Sequence, residues 1–467
     1  RPPWKLLGAP NPGIYWYPSA VRMIPYSIHE FPAYSFVVSD LHAHLLDIPF
    51  VLATLTLLLA FFHKLKSDSS NLANSLAILK RYSAHLMVLS ALLAVLYMTN
   101  SLDSAVYLLI FLLMILTIVY FKNLRLIHKV KLLALFTLPI FGIVFLLTLP
   151  FTLHFSPFIS GVGINCFTPF LELLHRSNLQ IGPIFLEASR CQQSPLYMLW
   201  ILWGLPLFSL IFYCAYLIKS KGKITISDWY VLIATLICVL LIIFPEFIYF
   251  KDIYPLHFRA NTMFKLGYQA FIMLTIFIGY QVFTIKIKNF TFRLIFLALL
   301  FIQIALALIY PTFSISSYYQ RLEAYKGIDG LSFMKESAYD DWLAIGWLQS
   351  NVKGNPVILE AVGESYSGFA RFSVFTGLPT VIGWPGHEWG WRQSGELAYQ
   401  RKVEVAKFYN REDIKLSRKF ISKYNISYII VGALERQSYT IDEDLLQKLG
   451  AVVFQSGKTK IYQTKSG

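Results

Sequence analysis

The residues best equipped for chemistry stand together near the start of the chain. His29-Glu30-Phe31-Pro32-Ala33-Tyr34-Ser35-Phe36-Val37-Val38-Ser39-Asp40-Leu41-His42-Ala43-His44 holds two carboxylates and three imidazoles. An apolar run from Ile48 to Phe62 follows directly. Ionisable groups are costly beside hydrocarbon, so a cluster at the mouth of a span points to function. Glu30, Asp40, His42 and His44 are the candidate catalytic residues. A carboxylate can serve as general base, and mixed Asp/His donors suit a divalent ion such as Mg, Mn or Zn. Asp40, His42 and His44 alternate along the chain. An extended strand would put all three on one face, and a helix would still bring Asp40 beside His44. The bland alternative is a set of polar side chains reaching for the membrane interface.

Three further segments carry polar groups of similar promise. Asn100 and Asp103 stand between two apolar runs, where they could cap a helix or line a site. Glu246, Asp252, Arg259, Asn261 and Lys265 crowd one loop region, and Arg259 with Lys265 could clamp a phosphate or diphosphate. Near the C-terminus, Glu360 and Glu364 follow an apolar strand-like stretch. Gly383-Trp384-Pro385-Gly386-His387-Glu388-Trp389-Gly390-Trp391-Arg392 mixes flat aromatic faces with His387, Glu388 and Arg392, a combination suited to a sugar. The second His of a zinc-peptidase helix is absent after His387-Glu388. No glycine-rich phosphate loop occurs, so no nucleotide cofactor is expected.

The elements that must position these groups are mostly membrane spans. Of 467 residues, 56% are hydrophobic and only 14% charged, which fits a polytopic membrane protein. Apolar stretches near 46–63, 84–99, 104–121, 132–150, 197–218, 229–248, 268–285 and 293–311 are each about long enough to cross a bilayer. The net charge of +15 is not spread like a nucleic-acid surface. Its excess lies in alternate short loops: Lys64, Lys66, Lys80 and Arg81; Lys122, Arg125, Lys129 and Lys131; Lys219, Lys221 and Lys223; Lys286, Lys288 and Arg293. The positive-inside rule makes those loops cytoplasmic. Every polar segment singled out above then falls on the opposite face, together with loop 151–196. That loop holds Cys166 and Cys191, for which an oxidising compartment permits a bridge without requiring one. The chain opens at Arg1 outside its first visible span, so an upstream signal or span is expected.

Residues 1–311 are thus read as a helical membrane domain and 312–467 as an extracytoplasmic α/β domain. Within the latter, 340–351, 396–409, 413–424 and 442–449 read as helices. Segments 356–360, 380–382, 426–431, 452–454 and 460–462 read as strands.

Taken jointly, the motifs resemble those of the YYY (Chlor-Arch-YYY) family of uncharacterised multi-pass membrane proteins from archaea and some bacteria. The resemblance rests on Phe31-Pro32-Ala33-Tyr34-Ser35-Phe36 with Asp40-Leu41-His42-Ala43-His44, and on Thr99-Asn100-Ser101-Leu102-Asp103, with Leu102 where that family has Trp. Arg259-Ala260-Asn261-Thr262-Met263-Phe264-Lys265 adds to it, as do Leu359-Glu360-Ala361, Thr376-Gly377-Leu378-Pro379-Thr380, Gly383-Trp384 and Val431-Gly432. The architecture is also similar to that of the GT-C class of lipid-linked glycosyltransferases. That likeness implies a polyprenyl-phosphate sugar donor and an acidic first outer loop, although Asp40-x-His42-x-His44 replaces the usual acidic pair. The expected function is an integral membrane glycosyltransferase in the bilayer, with Glu30, Asp40, His42 and His44 at its centre and no nucleic-acid partner. A transporter or flippase of a lipid-linked or anionic solute, and a metal-dependent membrane hydrolase, are the alternatives.

Overall fold

The computed structural model describes residues 17–68, 75–122, 125–155, 157, 159, 161–166, 184–186, 191–219, 224–252, 256–319, 322, 327–392, 394–410 and 413–465. The chain divides into two compact units, Arg1–Ala324 and Tyr325–Gly467.

In the first unit two short helices, α1 (Pro32–Val37) and α2 (Ala43–Leu46), precede the long helix α3 (Ile48–Ser67). There follow α4 (Ser75–Thr99), α5 (Ser101–Phe121), α6 (Leu126–Thr152), α7 (Leu196–Lys219), α8 (Ile226–Phe247), α9 (Ala260–Thr284) and α10 (Phe290–Tyr318). Among the described residues, the eight helices from α3 to α10 are long and apolar enough to cross a membrane. Only 11% of the most apolar stretch of α10 is buried, so most of its surface faces outward, as lipid contact requires. The spans outrun the apolar stretches at several ends. Helix α9 starts at Ala260 and takes in Asn261 and Lys265, while α10 continues through Pro311 to Tyr318. Polar side chains are tolerated in the end turns of a span, and proline is tolerated in membrane helices whose freed backbone groups find other partners.

One end of the bundle gathers the basic groups. Arg81 donates twice to Asp68 (2.9 and 3.0 Å), and Lys122 donates to the Asp68 carbonyl (3.1 Å). The other end gathers the start of α3, α5 and α9 with the finish of α8. A small sheet lies on this side of the chain path: β1 (Gly161–Ile164) pairs parallel with β2 (Ile184–Leu186) and antiparallel with β3 (Ile248–Lys251). Cys166 and Cys191 are disulfide-bonded. Beside them Asn165 donates to the carbonyls of Gln192 and Glu246, both at 3.0 Å.

The second unit is α/β. Helices α11 (Ser332–Ser337), α12 (Tyr339–Asn351), α13 (Arg371–Thr376), α14 (Pro385–Arg392), α15 (Gly395–Tyr409), α16 (Ile414–Tyr424), α17 (Ala433–Ser438) and α18 (Glu443–Leu449) accompany four strands. These are β4 (Val357–Leu359), β5 (Ile426–Val431), β6 (Gly450–Ser456) and β7 (Thr459–Thr464), in the order β4-β5-β7-β6. Only β4 and β5 run parallel; β7 is antiparallel to both β5 and β6. The expected strand at 380–382 is reduced to a single bridge between Ile358 and Thr380. Leu359, Ile429 and Tyr462, each fully buried, form the centre of one face's core, with Phe408 and Phe420 from the helices.

Candidate functional site

The segment before α3 forms neither the strand nor the helix that its alternation suggested. Pro32 starts α1, where its missing N–H costs nothing. Ser39 then takes a left-handed conformation (φ 54°), and the Asp40 N–H turns back to the Ser35 carbonyl at 3.0 Å. His42 is extended and precedes α2, in which His44 lies. This reversal brings Glu30, Asp40 and His44 together: one ligand atom from each lies within 4.8 Å of the others. His42 is not the third member of that set. Its Nδ1 bonds to Asp40 Oδ1, and its ring stacks on His44 at 5.6 Å. Of the set expected from the sequence (Asp40, His42, His44), the structure brings Asp40 and His44 together with Glu30, while His42 bonds to Asp40.

Helix α9 closes over this cluster. The rings of Phe264 and Tyr268 meet His44 edge-on at 4.6 and 4.7 Å. Burial pushes the His44 imidazole down to about 4, leaving it neutral at physiological pH, as metal ligation requires. Burial also pushes the Glu30 carboxyl up, against the pull of the Arg22 guanidinium 3.2 Å away. Two carboxylates and a neutral imidazole make a mixed O/N donor set suited to Zn or Mn. Such a set can equally accept a proton from a bound hydroxyl.

Lys265 lies in the same neighbourhood. Its charge acts on His44, and its own nearest carboxylates in that sense are Asp103 and Asp252. Among the described residues it makes no hydrogen bond or ion pair. Asn100 precedes α5 but does not cap it through its side chain. Its amide instead donates to Asp103 Oδ2 at 3.0 Å. Asp103 is fully buried and also accepts from Gln269 Nε2 (2.5 Å), whose Oε1 accepts from Tyr107 (2.5 Å). The sequence reading missed Asp47, which is fully buried at the head of α3 and lies within electrostatic reach of Asp103. Burial pushes the Asp47 carboxyl up. Its sequence signal, a lone acid at the start of an apolar run, could have been read as costly by the same rule that singled out Asp40.

Arg259 is placed otherwise than a phosphate clamp would need. It is 1% exposed, and its guanidinium meets Glu246 at 2.9 Å and donates to Ser194 Oγ at 3.0 Å. Ser194 in turn donates to Glu246 through both its N–H and its hydroxyl, each at 2.7 Å. The pair is enclosed because the disulfide and Asn165 hold segment 191–194 against the end of α8. Asn261 donates to Asp252 at 2.7 Å, so those two predicted residues also pair with each other.

The remaining predicted residues belong to the second unit. Glu360 is buried and accepts from the N–H groups of Phe372 and Ser373, both at 2.9 Å, which places it at the positive end of α13. Glu364 is exposed near Lys402. His387 lies edge-on to Tyr366 (4.9 Å) and Trp384 (5.2 Å), an aromatic cluster on which Tyr366 is largely exposed. Glu388 follows it on α14. The Arg392 side chain lies outside the described residues. The sequence also gave no hint of Arg371, which is buried between Asp341 (2.6 Å) and Glu435 (2.8 Å).

The acid and histidine cluster at the head of a span, in a bundle of membrane helices, can be set against known families. The family model for an uncharacterized membrane protein, DUF2298, matches residues 4–240 and 222–274. The chain belongs to the DUF2298 family. The matched region takes in Glu30, Asp40, His44, Asp47, Asp103, Arg259 and Lys265, and so every polar group of the membrane-unit site. No curated protein matches the chain. Membership establishes an integral membrane protein of a family whose activity is uncharacterised.

Proposed function

We propose that this protein is an integral membrane glycosyltransferase that uses a polyprenyl-phosphate-linked sugar on the extracytoplasmic face. The observation that carries the reading is the convergence of Glu30, Asp40 and His44 beside Lys265, at the end of the bundle opposite the basic loops. In this reading Asp40, oriented by His42, accepts the proton of the acceptor hydroxyl. The freed oxygen bonds to the sugar's anomeric carbon as the bond from that carbon to the phosphate oxygen breaks. The leaving phosphate keeps the electron pair, and the Lys265 ammonium balances its charge. Arg259 is left out of the step, since its guanidinium is engaged by Glu246. A narrow apolar slot beside Glu30, lined by Trp203, Leu241, Ile242, Met263 and Phe271, offers a hydrocarbon path toward the same point.

The test is transfer from a polyprenyl-phosphate sugar to a sugar acceptor by purified protein in nanodiscs. Asp40→Ala should abolish transfer with unchanged thermal stability; full activity in that variant would remove Asp40 from the mechanism.

A second reading, a metal-dependent membrane hydrolase, is favoured by the O/N donor set of Glu30, Asp40 and His44. A divalent ion held there would act as a Lewis acid on a phosphate oxygen. Cleavage of the lipid-linked substrate without an acceptor, lost on chelation, would select it over the transferase.

A further inference from the structure

Helix α6 lies chiefly along α4 rather than α5, although only residues 122–125 separate it from α5. At that end of the bundle the two helices leave a groove between them, with a cavity of about 490 Å³. The volume is in the range of small-ligand pockets, about 300–1,000 Å³. Tyr120 and Phe121 come from the end of α5, Leu126, Val130 and Leu133 from the start of α6, and Trp229 from the first turn of α8. Tyr120, Phe121, Leu126 and Val130 are exposed, so the groove opens on the outside of the bundle, where spans meet lipid. At about 1.5 Å per residue these lining groups lie within roughly 10 Å of their helix ends. That is the depth of the membrane interface and the first carbons of the lipid chains. Trp229, 5.5 Å from the Phe121 ring, and Tyr120 are the residue types that favour this depth.

The groove also carries a cation. Among the described residues that line it, Lys129 is the single charged group. Its ammonium donates to the Tyr120 carbonyl at 3.1 Å and lies 5.6 Å from the centre of the Tyr120 ring. An ammonium has three N–H donors, so that bond leaves two for an anion. From Ser104 to Thr152 the sequence has four Lys/Arg and no Asp or Glu. The acids of the neighbouring helix ends are engaged elsewhere: Asp68 by Arg81, and Asp228 by the hydroxyls of Tyr213 and Tyr280, at 2.6 and 2.9 Å.

We propose that this groove is a binding site for one anionic phospholipid, with a hydrocarbon chain along Val130, Leu133 and Trp229 and the phosphate at Lys129. The chain covers the apolar walls without stranding a polar group, and the phosphate supplies the charge that Lys129 lacks nearby. Arg125, one turn before Lys129, adds positive charge that favours an anionic headgroup over a zwitterionic one. The site lies at the end of α5 opposite Asp103, on the side of the basic loops, so it stands apart from the transfer reading.

The test is native mass spectrometry of the full chain, delipidated in detergent and titrated with dioleoyl phosphatidylglycerol or dioleoyl phosphatidylcholine. Phosphatidylglycerol should give one dominant adduct where phosphatidylcholine gives only a statistical series. Lys129→Gln should weaken that adduct about fivefold, the contribution of one basic group near a phospholipid headgroup. Val130→Trp, which fills the groove without a change of charge, should weaken it at least as much. Lys288→Gln, which removes a charge from another basic loop at the same end, should leave it unchanged. Equal affinity for the two lipids would overturn the proposal. So would undiminished phosphatidylglycerol binding in Lys129→Gln or in Val130→Trp, the mark of annular lipid alone. A loss in Lys288→Gln as large as in Lys129→Gln would do the same, since it would reduce the effect to general charge.

Discussion

Arg259 offers the sharpest test of how far the site extends. Glu246→Gln removes one charge and little else. The amide oxygen can still accept from Ser194, and the side-chain volume is nearly unchanged. The guanidinium, however, is 1% exposed and meets Glu246 at 2.9 Å, so its charge would be left without an opposite charge in contact. Breaking a buried pair in this way costs about 3–5 kcal/mol. At about 1.36 kcal/mol per factor of ten, that is roughly two to nearly four orders of magnitude in the folding equilibrium. The assay is unfolding of the full chain in mixed micelles, followed by tryptophan fluorescence, with Glu246→Gln, Arg259→Met and the double variant. Each single change should destabilise strongly, and the double should cost less than the sum because no lone charge remains. If Glu246→Gln stays within about 0.5 kcal/mol of wild type, the pair is not structural. Tighter binding of inorganic pyrophosphate by that variant would then return Arg259 to the role of phosphate clamp.

Zn or Mn binding, measured by equilibrium dialysis and elemental analysis, should be lost in Asp40→Ala and His44→Ala; His42→Ala, which removes only the group holding Asp40, should weaken it about 10–100-fold. Undiminished binding in Asp40→Ala would dismiss the O/N set as a metal centre. Cys166→Ser/Cys191→Ser should lower stability by about 3.5 kcal/mol in the chain-entropy model for a separation of 25 residues, and equal unfolding midpoints would contradict it. In the second unit, burial pushes Glu435 up, but the Arg371 guanidinium and the N–H groups of Ala361 and Gly432 outweigh it and hold the carboxyl below its usual range. Its folded form therefore binds a proton less readily than the unfolded chain. The stability advantage of wild type over Glu435→Gln should be complete above the ordinary carboxylate value of about 4.3 and shrink as pH falls below it. A gap independent of pH would refute the ion pair.

Much of the architecture was legible because it follows from local chemistry. A helical chain crosses a bilayer only in long apolar segments, so eight of them could be read from composition and length. Periodicity likewise gave the helix at 339–351 and the strand at 426–431 to within a residue. Alternation failed at Asp40-x-His42-x-His44, because a left-handed Ser39 and a helix start at Ala43 override it. Glu30 joins Asp40 only through that turn.

Residue type alone marked Glu30, Asp40, His44, Asp103, Arg259 and Lys265 as groups that hydrocarbon would penalise. Their division of labour came from partners far away in the chain. Arg259 is bound because Ser194 and Glu246 are brought to it, and Asp103 is held because Gln269 and Asn100 both donate to one of its oxygens. The sequence by itself determined which side chains need a partner, since that cost belongs to each group. Tertiary structure alone decided which partner each one found, since hydrogen bonds and ion pairs act over about 3–4 Å and depend on how the helices pack.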